Sequence, residues 1–404
     1  MRLLTAIFCC LIIVGPADTC AQIAVRADRI HTAAGPVIQD GVILVRDGRI
    51  QRVGPASDIQ IPADYRVLEA AVVTPGLIDA HSVVGLSGYL NQPHDQDQLE
   101  SSAPIQPELR AIDAYNPREA LVEWIRGFGV TTIHTGHGPG AVISGQTLIA
   151  KTSGETVEES VIVPAAMVAA TLGDGARASG GKAPGTRSKM VAMLRAELIR
   201  AQAYVEKRNN RDADEAFTRD LRMDALGAVL EGEMPLLVTV ERAHDILTTI
   251  RLAQEFGIRL VLDSASEAHL VLEEIKASGF PVITHATMAR HSGERENATF
   301  EQAAKLRSAG IPFALQSGYE AYVPKTRVVL FEAGVAAAHG LAFEEALASV
   351  TIDAARILGI QARTGSIEVG KDADLALFDG DPFEYTTHCT GVIIDGDVVS
   401  EEPR

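Results

Sequence analysis

Six residues have the side-chain chemistry to hold a metal ion or move a proton, and each stands at or just beyond the end of a β-like run. They are His81 in "GLIDAH", His134 and His137 in "IHTGHGPG", Glu241 in "PLLVTVE", Asp263 in "IRLVLDS" and His285 in "FPVITHA". Imidazole nitrogens and carboxylate oxygens are donors suited to zinc or a similar divalent ion. Without metal, Glu241, Asp263 and His285 are candidates for acid and base work, provided they reach a substrate by hydrogen bonds. Each residue also has an ordinary reading as a hydrogen-bonded polar group.

Other candidates fall outside this set. His94, Asp95 and Asp97 lie in "GYLNQPHDQDQLESSAPIQPELRAIDAYN", a long segment that suits a cation site, a hydrophilic lid or a partner surface. His31 and His388 fall in terminal β segments, and His244, His269 and His339 lie on or beside helices, where structural or exposed roles are expected. Cys389 is not read as a nucleophile. "GHGPGAVISGQ" lacks the lysine and helix of a phosphate loop, so its glycines are read as permitting a tight turn.

The elements that position the six residues can be read from patterning. The runs "GLIDAH", "GVTTIHT", "VIVPAA", "PLLVTVE", "IRLVLDS", "FPVITHA" and "IPFALQSG" read as strands, and a helix-like stretch follows each of the last four. The clearest is "AHDILTTIRLAQEFG", with Ile246, Ile250 and Ala253 on one face and Gly257 as its stop. Such alternation predicts parallel βα units of an α/β protein, and their number fits a (β/α)8 barrel. "LGDGARASGGKAPGTRSK" reads as a mobile loop, and Met190 to Leu230 as a solvated helical insertion. Both chain ends alternate apolar and polar residues, with turns at Asp47-Gly48, Asp379-Gly380 and Asp395-Gly396. Neither end closes a core alone, so the two are expected to pair.

Composition narrows the class. The chain has 404 residues, 47% apolar and 22% charged, with a net charge of −17. This is a folded protein with no basic surface for nucleic acid. "MRLLTAIFCCLIIVGPADTCA" has the form of a secretory signal cleaved after Ala21, its apolar run being too short to span a membrane. Cleavage removes one Arg and one Asp and leaves Cys389 as the lone cysteine, so a secreted or periplasmic product has no internal disulfide.

The order of "TPGLIDAH", a barrel-like middle, "EEALASVTIDAARILGI" and "GSIEVGKDADL" resembles the amidohydrolase superfamily, particularly members related to imidazolonepropionase. The resemblance implies a composite β-sandwich from residues 22–75 and 361–404 beside a barrel of residues 76–360. It also implies one or two divalent metals that activate water against non-peptide C–N bonds, often in cyclic amide-like substrates. Residue by residue the pattern is altered. His81 matches the first of two strand-one histidines, but Val83 stands at the second. Thr239 or Glu241 and Ser264 occupy histidine positions on the fifth and sixth strands, and Ser317-Gly318 stand where an aspartate is expected. The metal centre is therefore expected to be missing or rebuilt from His81 with His134, His137, Glu241 or His285. A barrel that binds a small ligand or protein partner without catalysis is the alternative.

Overall fold

The computed structural model describes residues 22–404 except 91, 213–215, 286, 288–290 and 320–327, so the signal-like segment lies outside the described residues. The first four strands are β1 (Ile23–Ile30), β2 (Ile38–Arg46), β3 (Arg49–Pro55) and β4 (Arg66–Pro75). Asp47 and Gly48, both left-handed at φ 52° and 74°, make the tight β2–β3 turn expected of this dipeptide. β1 runs antiparallel to β2 and parallel to β4.

The middle of the chain contributes β5 (Leu77–Ser82), β6 (Val130–Thr135), β7 (Ile143–Gln146), β8 (Leu148–Lys151) and β9 (Val161–Val163). It continues with β10 (Val168–Thr171), β11 (Leu236–Val240), β12 (Leu260–Ser264), β13 (Val282–Thr284) and β14 (Phe313–Ala314). Two sheets result, in the orders β14-β13-β12-β11-β10-β7 and β5-β6-β8-β9. From β10 to β14 every pairing is parallel. Helices lie between successive strands, and every residue of these strands is buried, Thr171, Thr239, Asp263, Ser264 and Thr284 included. The sheets adjoin where Ala80 N donates to Leu315 O at 3.3 Å, and the chain passes from one to the other at Thr147, whose N donates to Met167 O at 2.9 Å. The fold is mixed α/β.

Two details differ from the sequence reading. In "VIVPAA" only Val161–Val163 is a strand, antiparallel to β8, and the neighbour of β11 is Val168–Thr171. Pro164, with no N–H to donate, stands directly after the shorter strand. The insertion after Met190 is two helices, Arg187–Asn210 and Leu221–Leu230, begun by side-chain caps from Thr186 and Asp220. The helix Ala243–Phe256 buries Ile246, Ile250 and Ala253 and stops at left-handed Gly257, as its pattern predicts.

The chain closes with β15 (Leu375–Phe378), β16 (Cys389–Ile394) and β17 (Asp397–Ser400). These extend the first sheet in the order β17-β16-β15-β4-β1-β2-β3, so the two chain ends pair through β15 and β4. Asp395-Gly396 forms the tight turn, with φ 50° and 84°. Asp379-Gly380 instead opens a longer connection, in which Asp379 accepts from His388 N at 2.7 Å.

A buried ion cluster ties this sheet to β8. Lys151 Nζ contacts Asp374, lies 3.4 Å from Asp372 and 3.3 Å from Asp395, and is 1% exposed. Arg49 and Arg363 also pair with Asp372. Burial alone would lower the Lys151 ammonium, but Asp374, Asp395 and Asp372 outweigh it and hold the group above its ordinary value.

Candidate functional site

The register of β11 and β12 places Thr239 opposite Asp263. Asp263 is fully buried and accepts three hydrogen bonds: from His81 Nδ1 at 2.9 Å, Thr239 Oγ1 at 2.6 Å and Gln316 Nε2 at 3.0 Å. Asp79, one alternation before His81 on β5, accepts from Ser317 N at 3.0 Å and from the Ser317 hydroxyl. Burial pushes Asp79 up to about 6, against the lowering effect of those hydrogen bonds. The position read as an aspartate replacement, Ser317, is thus the partner of an aspartate on another strand.

Glu241, just past β11, is held by hydroxyls from the far end of β12. Ser264 Oγ and Ser266 Oγ donate to its Oε2 at 2.8 and 2.5 Å. The bend that brings both serines to one carboxylate passes through left-handed Ser264 and Ala265, φ 64° and 49°, a conformation unfavourable for residues with a Cβ. Ala265 N pins it by donating to Val240 O at 2.7 Å. Such strain is retained where surrounding contacts over-determine it, as at functional sites. Burial pushes Glu241 up to about 7, with Ser266, Ser264 and Arg295 opposing and Asp263 adding to the rise.

Tyr319 packs its ring 5.4 Å from His81, and its phenol is held well above the ordinary value by burial, then by Asp263 and Glu241. A cavity of about 290 Å³ opens over Thr239, Glu241 and Tyr319, with Asp174, Glu294 and Arg295 in its wall. Asp174 and Glu294 are both paired with Arg187.

The remaining predicted residues do not converge on this cavity. His134 lies 5.6 Å from His81 between ring centroids, but Nδ1 contacts Ala80 O and Nε2 contacts Thr147 Oγ1, each at 2.7 Å. His137 is buried against Gly145, where an added Cβ would come within 2.4 Å of its ring, so Gly145 serves close packing instead of a tight turn. His285 follows β13, its N–H bonded to Ser264 O at 2.8 Å. His94 is exposed, and Asp95 accepts from Gln96 Nε2 at 2.9 Å. Cys389 is buried, its thiol pushed up to about 12 by burial.

These histidines have a stability consequence. Burial pushes His137 down to about 4; for His134, burial and then His81 push it down to about 3. A histidine with a lowered native value stabilises fully above its unfolded value near 6.5 and loses that contribution as pH falls toward the native one. Asp79 and Glu241, both raised, act with the opposite sign. A comparison with His137→Met isolates one contributor: its thermal midpoint should fall less than that of the native chain between pH 7 and pH 5. Equal falls would remove His137 from the account.

The resemblance to amidohydrolases raises the question of whether these donors suit a divalent ion. Among the described residues no three His, Cys, Asp or Glu side chains form such a group. The donor chemistry gives the reason. Both nitrogens of His134 are engaged, Asp263 already accepts three hydrogen bonds, Glu241 is held by two serines, and Val83 supplies no donor. Among the described residues these contacts do not assemble the metal set that the family pattern implies, although His81 Nε2 is buried with no hydrogen-bond partner among them.

The sequence reading missed Asp79, Ser266, Gln316 and Tyr319. For Asp79 the signal was available in its spacing from His81. Ser266, Gln316 and Tyr319 are recognisable only from their partners across strands.

Comparison with known proteins agrees with the fold. Residues 288–400 match the amidohydrolase family model. The chain is 27% identical over 395 residues to the amidohydrolase tasK of Hapsidospora irregularis, covering 90% of this chain but 40% of that protein. It is 25% identical over 393 residues to an imidazolonepropionase of Rhizorhabdus wittichii, covering 88% and 92% of the two chains. The crystal structure of an amidohydrolase from Thermotoga maritima MSB8 superposes with a TM-score of 0.89 at 28% identity, covering 94% of this chain and all of that one. The resemblance to the amidohydrolase superfamily is borne out.

Proposed function

We propose, for a chain that resembles amidohydrolases along nearly its whole described length, that it hydrolyses a non-peptide C–N bond of a small amide-like substrate, with Glu241 moving the proton. The middle of the chain, residues 76–360, is read as a (β/α)8 barrel whose mouth is this cavity. Residues 22–75 and 361–404 are read as its composite β domain. The first 21 residues are read as an export signal, giving a secreted or periplasmic product.

The observation that carries the reading is the environment of Glu241. A carboxyl group pushed up to about 7 by burial, lining a cavity and held by two hydroxyls, is poised to accept and return a proton near neutral pH. Glu241 takes a proton from water as the water oxygen forms a bond to the carbonyl carbon. It returns that proton to the nitrogen as the C–N bond breaks. Ser264 and Ser266 fix the carboxylate, and Arg295 places positive charge beside it. No step is routed through a metal ion, because the donor set does not fit one.

A second reading, ligand binding without turnover, is favoured by the saturation of Asp263 by His81, Thr239 and Gln316. A screen of cyclic amides and related C–N substrates with chelator-treated, tag-free protein separates the two. Turnover that survives chelation supports the proposal. Stoichiometric zinc, manganese or iron in the purified protein, lost in His81→Ala, would overturn the metal-independent step. Saturable ligand binding without turnover would favour the second reading.

A further inference from the structure

We propose that the cavity selects ligands by their N–H groups, taking the amidine-like or amine-like end of a small molecule against Glu241. This deepens the functional reading and rests on it only for the choice of cavity. The argument is an inventory of donors and acceptors. Four hydroxyls surround the floor: that of Thr239 donates to Asp263, those of Ser264 and Ser266 to Glu241 Oε2, and that of Tyr319 is hydrogen-bonded to Ser264. Glu241 lines the cavity, yet none of the hydrogen bonds it accepts from the described residues reaches Oε1.

The same polarity continues inward. The Gln316 amide donates to Asp263 at 3.0 Å and to Ile283 O at 3.3 Å, so its carbonyl faces away from both. That Oε1 is buried with no hydrogen-bond partner among the described residues, and Gln316 is 1% exposed. An acceptor left without a donor at the cavity favours a ligand that brings N–H groups, and the oxygen that meets this description is on Glu241, since Gln316 does not line the cavity. The two other carboxylates in the wall do not compete equally, since Asp174 and Glu294 are paired with Arg187. Arg295 is the opposing influence, because its guanidinium would favour an anionic group instead.

Benzamidine and benzoate, similar in size and opposite in polarity, test the assignment on the full-length protein. Their binding is measured by titration calorimetry for the native chain and Glu241→Gln. The substitution keeps the shape of the side chain but removes its charge and presents one N–H group. Benzamidine should bind saturably, at least ten times tighter than benzoate, and weaken at least tenfold in Glu241→Gln. Benzoate binding as tightly as benzamidine would assign the polarity to Arg295 and overturn the inference, as would benzamidine binding unchanged in Glu241→Gln. Failure of both to bind the native chain would also overturn it. A circular dichroism melt of the variant excludes unfolding as the cause of a loss.

Hydrolysis assays on the same proteins keep the two proposals apart. Turnover lost in Glu241→Gln with benzamidine binding intact removes the ligand inference and leaves the hydrolytic reading. Glu241-dependent benzamidine binding with no turnover of any C–N substrate does the reverse.

Discussion

Glu241→Gln should abolish most hydrolytic turnover, lowering kcat by about 10²- to 10⁴-fold, the range for loss of a positioned proton-transfer group. The native pH profile should rise through an apparent pKa near 7, as the ionised carboxylate accumulates. Ser266→Ala should move that limb to higher pH, because the lost hydrogen bond favours the charged form. The groups acting on Glu241 are Ser266, Ser264, Arg295 and Asp263, and the last three are unchanged in this variant. Full activity in Glu241→Gln, or an unmoved limb in Ser266→Ala, would exclude Glu241 as the group that titrates. Stability should change in the opposite sense. A carboxyl group whose native value is raised stabilises below its unfolded value and loses that contribution as pH rises through the native one. Glu241→Gln loses nothing there, so relative to the native chain it should gain thermal stability above pH 7. The gain would mark Glu241 as a group kept at a cost to stability.

Lys151→Met should destabilise the fold by about 3–5 kcal/mol, the usual result of removing one partner from a buried ion cluster. Asp374 and Asp395 then lose their ammonium, while Asp372 keeps Arg49 and Arg363. Urea unfolding should show a lower midpoint at similar slope. Adding Asp374→Leu to Lys151→Met should recover part of the loss, since an apolar pair avoids the unpaired buried charge. Thr364 Oγ1 and Asp395 N, both bonded to Asp374, would then lack their acceptor and keep the recovery incomplete. A loss below about 1 kcal/mol, the level of exposed pairs, would mean that the cluster is solvated in solution.

Much of the fold was legible because its signals are local. Alternation with Asp-Gly turns disclosed the terminal strands, and the spacing of Ile246, Ile250 and Ala253 before Gly257 disclosed a helix to within one residue. "VIVPAA" misled because a three-residue strand beside Pro164 and the true neighbour of β11 lie so close in sequence. For the site, Glu241, Asp263 and His81 were found by their position at strand ends. Their roles were not legible, because these depend on partners remote in the chain: Asp263 meets His81 across 182 residues and Gln316 across 53. His134 shows the converse, since its place at a strand end suggested a ligand while a carbonyl and a threonine already use both its nitrogens.

The pairing of β4 with β15 also sets an order of events for the growing chain. β4 is complete at Pro75, but the strand that covers its second edge begins at Leu375. During synthesis β4 therefore presents open backbone donors and acceptors while the whole middle of the protein is made, the condition in which strands join the wrong neighbour. Such distant pairing also slows folding, because the closing contact is among the most separated in the chain. A nascent chain stalled before Leu375 would keep β1–β4 as an unfinished sheet, which makes the arrival of β15 the step that ends its exposure to aggregation.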